Sequence, residues 1–147
     1  MLYVVYSIIP LIIGGIIYIS FRSKNLVMFQ WFDDIGISFF TNYIRYLFSP
    51  VKPYLSEWFY YSLPDGIWIF SFTTTLIIFW DFSFEKVKIW LVAPIFSGIF
   101  FEILQFFFEF LGTFDIIDLL FSMIGFILSF ILLKNKPKNE NYGSSVF

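Results

Sequence analysis

The chain contains no cysteine and no histidine among its 147 residues. These absences exclude disulfide bonds, iron–sulfur clusters, thiolate nucleophiles, imidazole bases and His-ligated zinc or haem. Any chemistry must therefore use carboxylates, amides, hydroxyls, Lys, Arg or the backbone. The sequence predicts no catalytic residue, no metal site and no cofactor.

Charge is also scarce, because only 14% of the residues are charged while 59% are hydrophobic and 26% are aromatic. A soluble domain has about 25% charged residues, and this chain has too little polar surface to cover a soluble globule. The formal net charge is −2, whereas nucleic-acid-binding proteins carry basic patches that contact the phosphates. We therefore expect an integral membrane protein with no nucleic-acid partner.

Long apolar runs predict an all-α fold with four transmembrane helices, since a span needs about 20 mostly apolar residues. The predicted spans cover residues 2–21, 66–81, 89–111 and 116–133, which form one transmembrane domain, residues 1–133. The polar tail, residues 134–147, is predicted to be disordered. Pro10 lies inside the first span, and we expect a neighbouring helix to satisfy the backbone group that it frees. Threonines 73–75 of the second span offer hydroxyls for such contacts.

The segment between the first two spans, residues 22–63, is rich in aromatic residues and interrupted by charges. Aromatic residues of this kind lie at the headgroup level of a membrane. We therefore predict an interfacial loop with a short helix over residues 37–48, ended by Ser49 and Pro50.

Polar residues recur at helical spacing within the last two apolar runs. One set has spacings of 4, 3, 4 and 3 and the other of 3, 4, 3 and 4, so each set lines one face of a helix. The first set is Gly98, Glu102, Gln105, Glu109 and Gly112, and the second is Asp115, Asp118, Ser122, Gly125 and Ser129. We expect a helical hairpin whose two polar seams face each other or a shared cavity.

The predicted topology brings several carboxylates to one membrane surface, beneath a loop that carries Arg45 and Lys52. Glu102 should lie deeper, about 15 Å below Gly112 at 1.5 Å per residue. A charged carboxylate near the bilayer centre costs about 2.5 to 3.5 kcal/mol, so Glu102 must be protonated or partnered. The predicted ligand-binding residues are Glu102, Gln105, Glu109, Asp115, Asp118 and Asp65.

Each of these residues also has a purely structural interpretation. Asp115 and Asp118 resemble a helix cap, and acidic groups in a first turn suit the helix dipole. Glu109 is compatible with simple solvation, and Gln105 with an interhelical hydrogen bond. Glu102 is compatible with a neutral acid that is bonded to Gln105 or to a threonine of the second span.

The same residues resemble the VanZ-like group of membrane proteins. The resemblance is carried by Glu102-Ile103-Leu104-Gln105, by Gly112-Thr113-Phe114-Asp115-Ile116-Ile117-Asp118 and by Gly125, within residues 63–133. Thr113 stands where an arginine is common in that group. The resemblance implies a small multi-pass protein of the bacterial cytoplasmic (inner) membrane that acts at the cell envelope.

Our principal functional hypothesis is a site that binds or translocates a cationic or hydroxyl-rich headgroup of a membrane lipid or a lipid-linked envelope intermediate. An alternative is a non-catalytic assembly subunit whose seams pack against other membrane subunits. A third is an intramembrane aspartyl hydrolase, in which two aspartates share a proton. The sequence disfavours that hydrolase because Gly112-Thr113-Phe114-Asp115 lacks the second glycine of a Gly-x-Gly-Asp loop. Lysines and arginines on both predicted faces leave the membrane orientation open.

Overall fold

The computed structural model describes the backbone of residues 4–134, which is all helical with no β-strand in that range. The α-helices are α1 (Ile9–Phe21), α2 (Val27–Asp34), α3 (Ser38–Phe48), α4 (Glu57–Tyr61), α5 (Leu63–Phe79), α6 (Phe84–Val87), α7 (Val92–Phe107) and α8 (Ile116–Lys134). A π-helical turn, Val4–Ile8, precedes α1, and a 3-10 helix, Ser49–Tyr54, follows α3. The predicted all-α class is confirmed. The predicted tail beyond residue 134 lies outside the described residues.

Two helical stretches, Val4–Phe21 and Glu57–Phe79, are long and apolar enough to cross a membrane by length and composition. Val92–Phe107 and Ile116–Ile131 are apolar but shorter. The prediction of four spans is therefore supported at two of its four positions. In particular, α7 ends at Phe107, although the predicted third span continues to residue 111.

The protein is more polar inside than outside over the described residues. Its buried polar and charged side chains are Ser7, Ser20, Arg22, Thr41, Ser62, Ser71, Thr73, Thr74, Glu102, Asp118 and Ser129. Large apolar side chains instead cover the outer faces of the long helices, as with Phe106 of α7 (67% exposed) and Ile127 of α8 (59% exposed). A soluble monomer rarely exposes an apolar patch of more than a few hundred Å². This surface is therefore suited to apolar surroundings.

Helices α5 and α8 make the most extensive contact in the fold, and glycines allow it. A Cβ atom on Gly125 would lie 2.0 Å from the carbonyl oxygen of Gly66, and one on Gly66 would lie 2.7 Å from the carbonyl oxygen of Phe121. Small residues let helix backbones approach this closely. On the α7 side, a Cβ atom on Gly98 would lie 3.6 Å from the Cβ of Ser122. The α8 seam therefore meets the α7 seam at Ser122 and Gly98, while Gly125 of the same seam packs against Gly66 of α5.

The start of the first long helix, where the π-helical turn precedes α1, is bonded by hydroxyl groups of α5. Pro10 has no N–H, so the carbonyl of Tyr6 loses the donor that an α-helix would supply. Thr74 Oγ1 donates a hydrogen bond to that carbonyl at 2.6 Å, and Ser71 Oγ donates to the carbonyl of Ser7 at 2.6 Å. The structure confirms that a neighbouring helix satisfies the backbone group freed by Pro10.

An apolar cluster joins the far ends of α5 and α8 to the chain around α6. Ile77, Val87 and Leu91 are its buried members. Leu76, Trp80, Phe82, Phe126 and Phe130 pack against them. This end of the bundle is therefore held by side-chain packing.

Candidate functional site

Three carboxylates from three different helices meet at the opposite end of the bundle. Oxygen atoms of Asp65, Glu102 and Asp118 all lie within 4.8 Å of one another. Glu102 is 5% exposed and Asp118 is 1% exposed, whereas 23% of the Asp65 side chain is exposed. The structure therefore brings together three of the six residues that the sequence predicts for the site, and Asp65 gives the cluster its access to the outside.

The local sequence explains why these carboxylates share one level. Asp65 lies in the first turn of α5, after Pro64 at a position where proline favours a helix start. Asp118 lies in the first turn of α8. The Oδ1 atom of Asp115 accepts a hydrogen bond from the N–H of Ile117 at 2.9 Å and so caps the start of α8. Since α5 and α8 begin at this end and α7 finishes there, all three acids meet.

Arg22 also lies within this cluster, although it is not one of the six predicted ligand-binding residues. Its Nη2 atom is 3.7 Å from Asp65 Oδ2 and 3.8 Å from Asp118 Oδ2. Nη2 also donates a hydrogen bond to the carbonyl of Tyr61 at 3.1 Å. The guanidinium carbon is 5.2 Å from the ring centre of Tyr18 and 5.0 Å from that of Tyr61. Arg22 is 5% exposed, so it is the buried counter-ion of the acids.

A signal for Arg22 was present in the sequence. Arg22 directly follows the first apolar run, at the end that meets the start of the second. Buried carboxylates require a partner, and Arg22 is the cation nearest to them in the predicted arrangement of the first two spans. A cation at the end of a span also matches the ordinary flanking pattern of membrane helices, and for that reason the position alone does not indicate a site.

Glu102 lies at the level of the other acids, and the predicted separation is wrong. The Oε2 atom of Glu102 accepts a hydrogen bond from the N–H of Asp115 at 3.2 Å. The predicted distance of about 15 Å between Glu102 and Gly112 assumes a helix that continues to Gly112. The chain leaves the helix at Phe108, which has φ −134° and ψ 87°. Gly112 then takes φ +154°, and a Cβ there would lie 2.8 Å from the side chain of Gln105. The loop therefore folds back over the end of α7.

The other predicted residues have different surroundings. Gln105 lies under the loop, and its Oε1 atom accepts no hydrogen bond from the residues that the structure describes. Glu109 is exposed on the loop and lies outside the cluster, as its solvated interpretation predicts. Asp115 caps α8, as its structural interpretation predicts. The predicted helix face that joins Glu102 to Glu109 does not exist.

The two predicted loop cations bond backbone carbonyls at the end of α1, next to the cluster, and the predicted position of their loop over the acids stays a prediction. Arg45 Nη1 donates hydrogen bonds to the carbonyls of Ile19 at 2.7 Å and Arg22 at 2.8 Å. Lys52 Nζ donates to the carbonyl of Phe21 at 3.4 Å. The last carbonyls of a helix lack intrahelical donors and carry partial negative charge, so they attract these cations. Burial lowers the pKa of the Arg45 guanidinium below its ordinary value.

The cluster holds more carboxylates than cations among the described residues. The buried Ser62 hydroxyl is a neutral hydrogen-bond partner of the Asp118 carboxyl, and Asp65 Oδ2 is engaged by the ion pair with Arg22. A set of carboxylate oxygens at this separation could hold a hard cation such as Mg²⁺ or Ca²⁺, or an ammonium group.

Comparisons of the chain with protein-family models, with curated proteins and with solved structures find no match. The VanZ-like resemblance accordingly stays a prediction, and the geometry of the site is what supports a function.

Proposed function

We propose that the chain is a multi-pass protein of the bacterial cytoplasmic membrane, of the VanZ-like kind, with four spans centred on α1, α5, α7 and α8. The apolar outer faces and the polar interior support this proposal. Lipid chains solvate apolar side chains but offer no hydrogen bonds, so polar groups pair with one another inside the protein. The 19 residues of α8 are close to the length of a span. The 16 residues of α7 are fewer, and local thinning of the bilayer accommodates such a mismatch.

The proposed function of the site is to bind or translocate the cationic or hydroxyl-rich headgroup of a membrane lipid or lipid-linked envelope intermediate. One observation carries this proposal: three carboxylates surround one guanidinium, so the cluster has more negative than positive groups among the described residues. An uncompensated buried charge is strongly unfavourable. An ammonium group of a ligand would supply the missing positive charge, and a ligand hydroxyl would donate to a carboxylate oxygen.

Arg22 gives this site a defined resting arrangement. The guanidinium bridges Asp65 and Asp118 through one nitrogen, while Glu102 is bonded to the backbone at Asp115. A ligand cation would add to this arrangement beside Glu102 and Asp118. Asp65 provides the route of approach because its side chain is the most exposed of the three.

The test is thermal unfolding of the detergent-purified protein during titration with ethanolamine at constant ionic strength. A ligand that binds only the folded state at 100 times its Kd stabilises it by about 2.7 kcal/mol. We expect a rise in Tm that is lost in Glu102→Gln and Asp118→Asn. Glu109→Gln makes the same chemical change outside the cluster and is expected to retain the rise.

Two results would count against this function. One is a Tm that responds neither to ethanolamine nor to Mg²⁺ or Ca²⁺. The other is a response that Glu109→Gln removes as completely as Glu102→Gln. The first result, combined with co-purification of one stoichiometric membrane partner, would favour the assembly-subunit hypothesis instead.

A hydrolase is the second candidate, because Asp65 and Asp118 lie on neighbouring helices with carboxylate oxygens within 4.8 Å. An aspartyl dyad shares a proton between its two acids. Here Arg22 Nη2 lies against both carboxylates, so a cation takes the place of that proton. Cleavage of a model transmembrane substrate, abolished by Asp118→Asn, would favour this candidate over binding.

A further inference from the structure

An apolar groove of about 520 Å³ lies between α5, α7 and α8. Ile69, Gly98 and Ser122 each contribute to its wall. Each of them is four residues from one of the acids in its own helix: Ile69 from Asp65, Gly98 from Glu102, and Ser122 from Asp118. Residues four apart are neighbours on one helix face. The groove therefore begins about one helical turn from all three carboxylates.

The groove continues along α8 away from the acids and opens to the outside. Its α8 wall extends from Leu119 to Ile127, roughly 12 Å at 1.5 Å per residue. Ile99, Met123 and Ile127 on its rim are 48%, 60% and 59% exposed. At Gly98 the floor is formed by Ile69 and Ser122, which a Cβ there would meet at 3.6 Å. The shape suits one extended alkyl chain that enters sideways from the membrane.

Resting on the function proposed above, we propose that the ligand is an amphiphile with a cationic head and at least one alkyl chain. The head lies at Asp65, Glu102 and Asp118, and the chain lies in the groove between α7 and α8. Charge complementarity supports a cationic head, because the cluster has three carboxylates and its described cation, Arg22, is already engaged by two of them. A phosphate or sulfate head would meet the remaining negative charge. The volume lies within the range of about 300 to 1,000 Å³ for ligand sites.

A second apolar groove provides an internal control. It has a volume of about 360 Å³ and lies between α1, α5 and α8, with Pro10, Ile13 and Ile124 in its wall. Its wall contains no residue of α7, the helix that carries Glu102. An alkyl chain with no preference for the carboxylate site would divide between the two grooves in the same ratio whether its head is charged or neutral.

The experiment uses the full chain in lipid nanodiscs and a long-chain alkylamine that carries a photoreactive diazirine on its chain. After illumination, mass spectrometry maps the adducts. We expect the adducts to concentrate on the rim of the first groove, at Ile99, Met123 and Ile127. The same chain with a neutral hydroxyl head should label this rim about tenfold less, the size of one lost charged hydrogen bond. An analogue with a carboxylate head should label it no more than the neutral one.

Two variants test the assignment separately. Ile99→Trp fills the proposed groove, and Ile124→Trp makes the same change in the second groove at a similarly exposed position (48% and 50%). We expect labelling of the rim to fall in Ile99→Trp and to persist in Ile124→Trp. Glu102→Gln should reduce the preference for the amine over the neutral analogue.

The outcomes separate this inference from the proposed function. If ethanolamine stabilises the protein but the amine divides between the two grooves in the same ratio as the neutral analogue, the chain assignment is wrong and the headgroup site remains. If ethanolamine has no effect and the amine shows no preference over the neutral analogue, both proposals fail. Even if Ile99→Trp does not fold, the positions of the adducts on the unsubstituted protein test whether the alkyl chain lies in the first groove.

Discussion

The two ends of the α5–α8 pair are held together by different interactions. At one end, Asp65 and Asp118 lie against Arg22 in a buried ionic cluster. At the other end, Ile77 of α5 lies in an apolar cluster, against which Phe126 and Phe130 of α8 pack. A buried ion pair is often no more stabilising than apolar residues of the same volume. Since the same helices also pack without charges, the ionic end is not required to hold them together, which is consistent with the proposed ligand-binding role.

The largest expected effect comes from removing the cation of the ionic end. Arg22→Met leaves the acids without a counter-ion, and breaking a buried pair in this way destabilises by about 3 to 5 kcal/mol. Chemical denaturation in detergent measures the effect. Lys24→Met is the control, because Lys24 is exposed and, among the described residues, its side chain donates a hydrogen bond to Asn42. Partial recovery in the triple variant Arg22→Met/Asp65→Asn/Asp118→Asn would show that charge imbalance is the cause, and no recovery would contradict it.

The apolar end should respond to loss of volume. Ile77 is fully buried, so Ile77→Ala should destabilise by about 2 to 4 kcal/mol through lost contacts and a cavity. The same change at Ile89, which is 75% exposed, should have little effect. Unfolding measured at two salt concentrations sharpens the comparison with the ionic end. The loss in unfolding free energy caused by Ile77→Ala should be independent of salt. Equal losses at Ile77 and Ile89 would show that this end is not a packed core.

The helix contact that joins the two ends depends on glycine. Gly125→Ala places a methyl group against the carbonyl oxygen of Gly66, and we expect overpacking to destabilise by about 1 to 3 kcal/mol. Gly15→Ala is the matched control, since a Cβ there meets no atom within 4 Å. Thermal unfolding of both variants measures the difference. A Gly125→Ala variant as stable as Gly15→Ala would refute the close approach of α5 and α8.

The smallest expected effect concerns the hydroxyl that replaces the donor missing at Pro10. Thr74→Val removes the hydrogen bond to the carbonyl of Tyr6 and should destabilise by about 1 kcal/mol. Thr75→Val removes a hydroxyl that bonds within its own helix, to the carbonyl of Ser71, and should have a smaller effect. Unfolding measurements on this pair of isosteric changes compare the two. If Thr75→Val were the more damaging, the Tyr6 bond would not be what stabilises the start of the first long helix.

Local patterns in the sequence predicted the features that depend on near neighbours. Composition and apolar periodicity predicted the all-α class, and the short helix expected over residues 37–48 is observed as Ser38–Phe48. Helical spacing placed Ser122 and Gly125 on one face of α8, and it placed Glu102 on the face of α7 that turns inward. These predictions succeeded because residues three and four apart in a helix share a face wherever that helix packs.

Contacts distant in sequence decided the rest. The chain leaves α7 at Phe108 and folds back so that Glu102 bonds the backbone at Asp115, which no periodicity indicates. Arg45 and Lys52 bond the end of α1, and Arg22, which is not among the predicted site residues, lies in the cluster. Composition and spacing alone therefore determined which side chains are polar and which helix face carries them. Only the tertiary structure decided the partner of each charge, because that depends on where each helix ends and which cation its packing brings within reach.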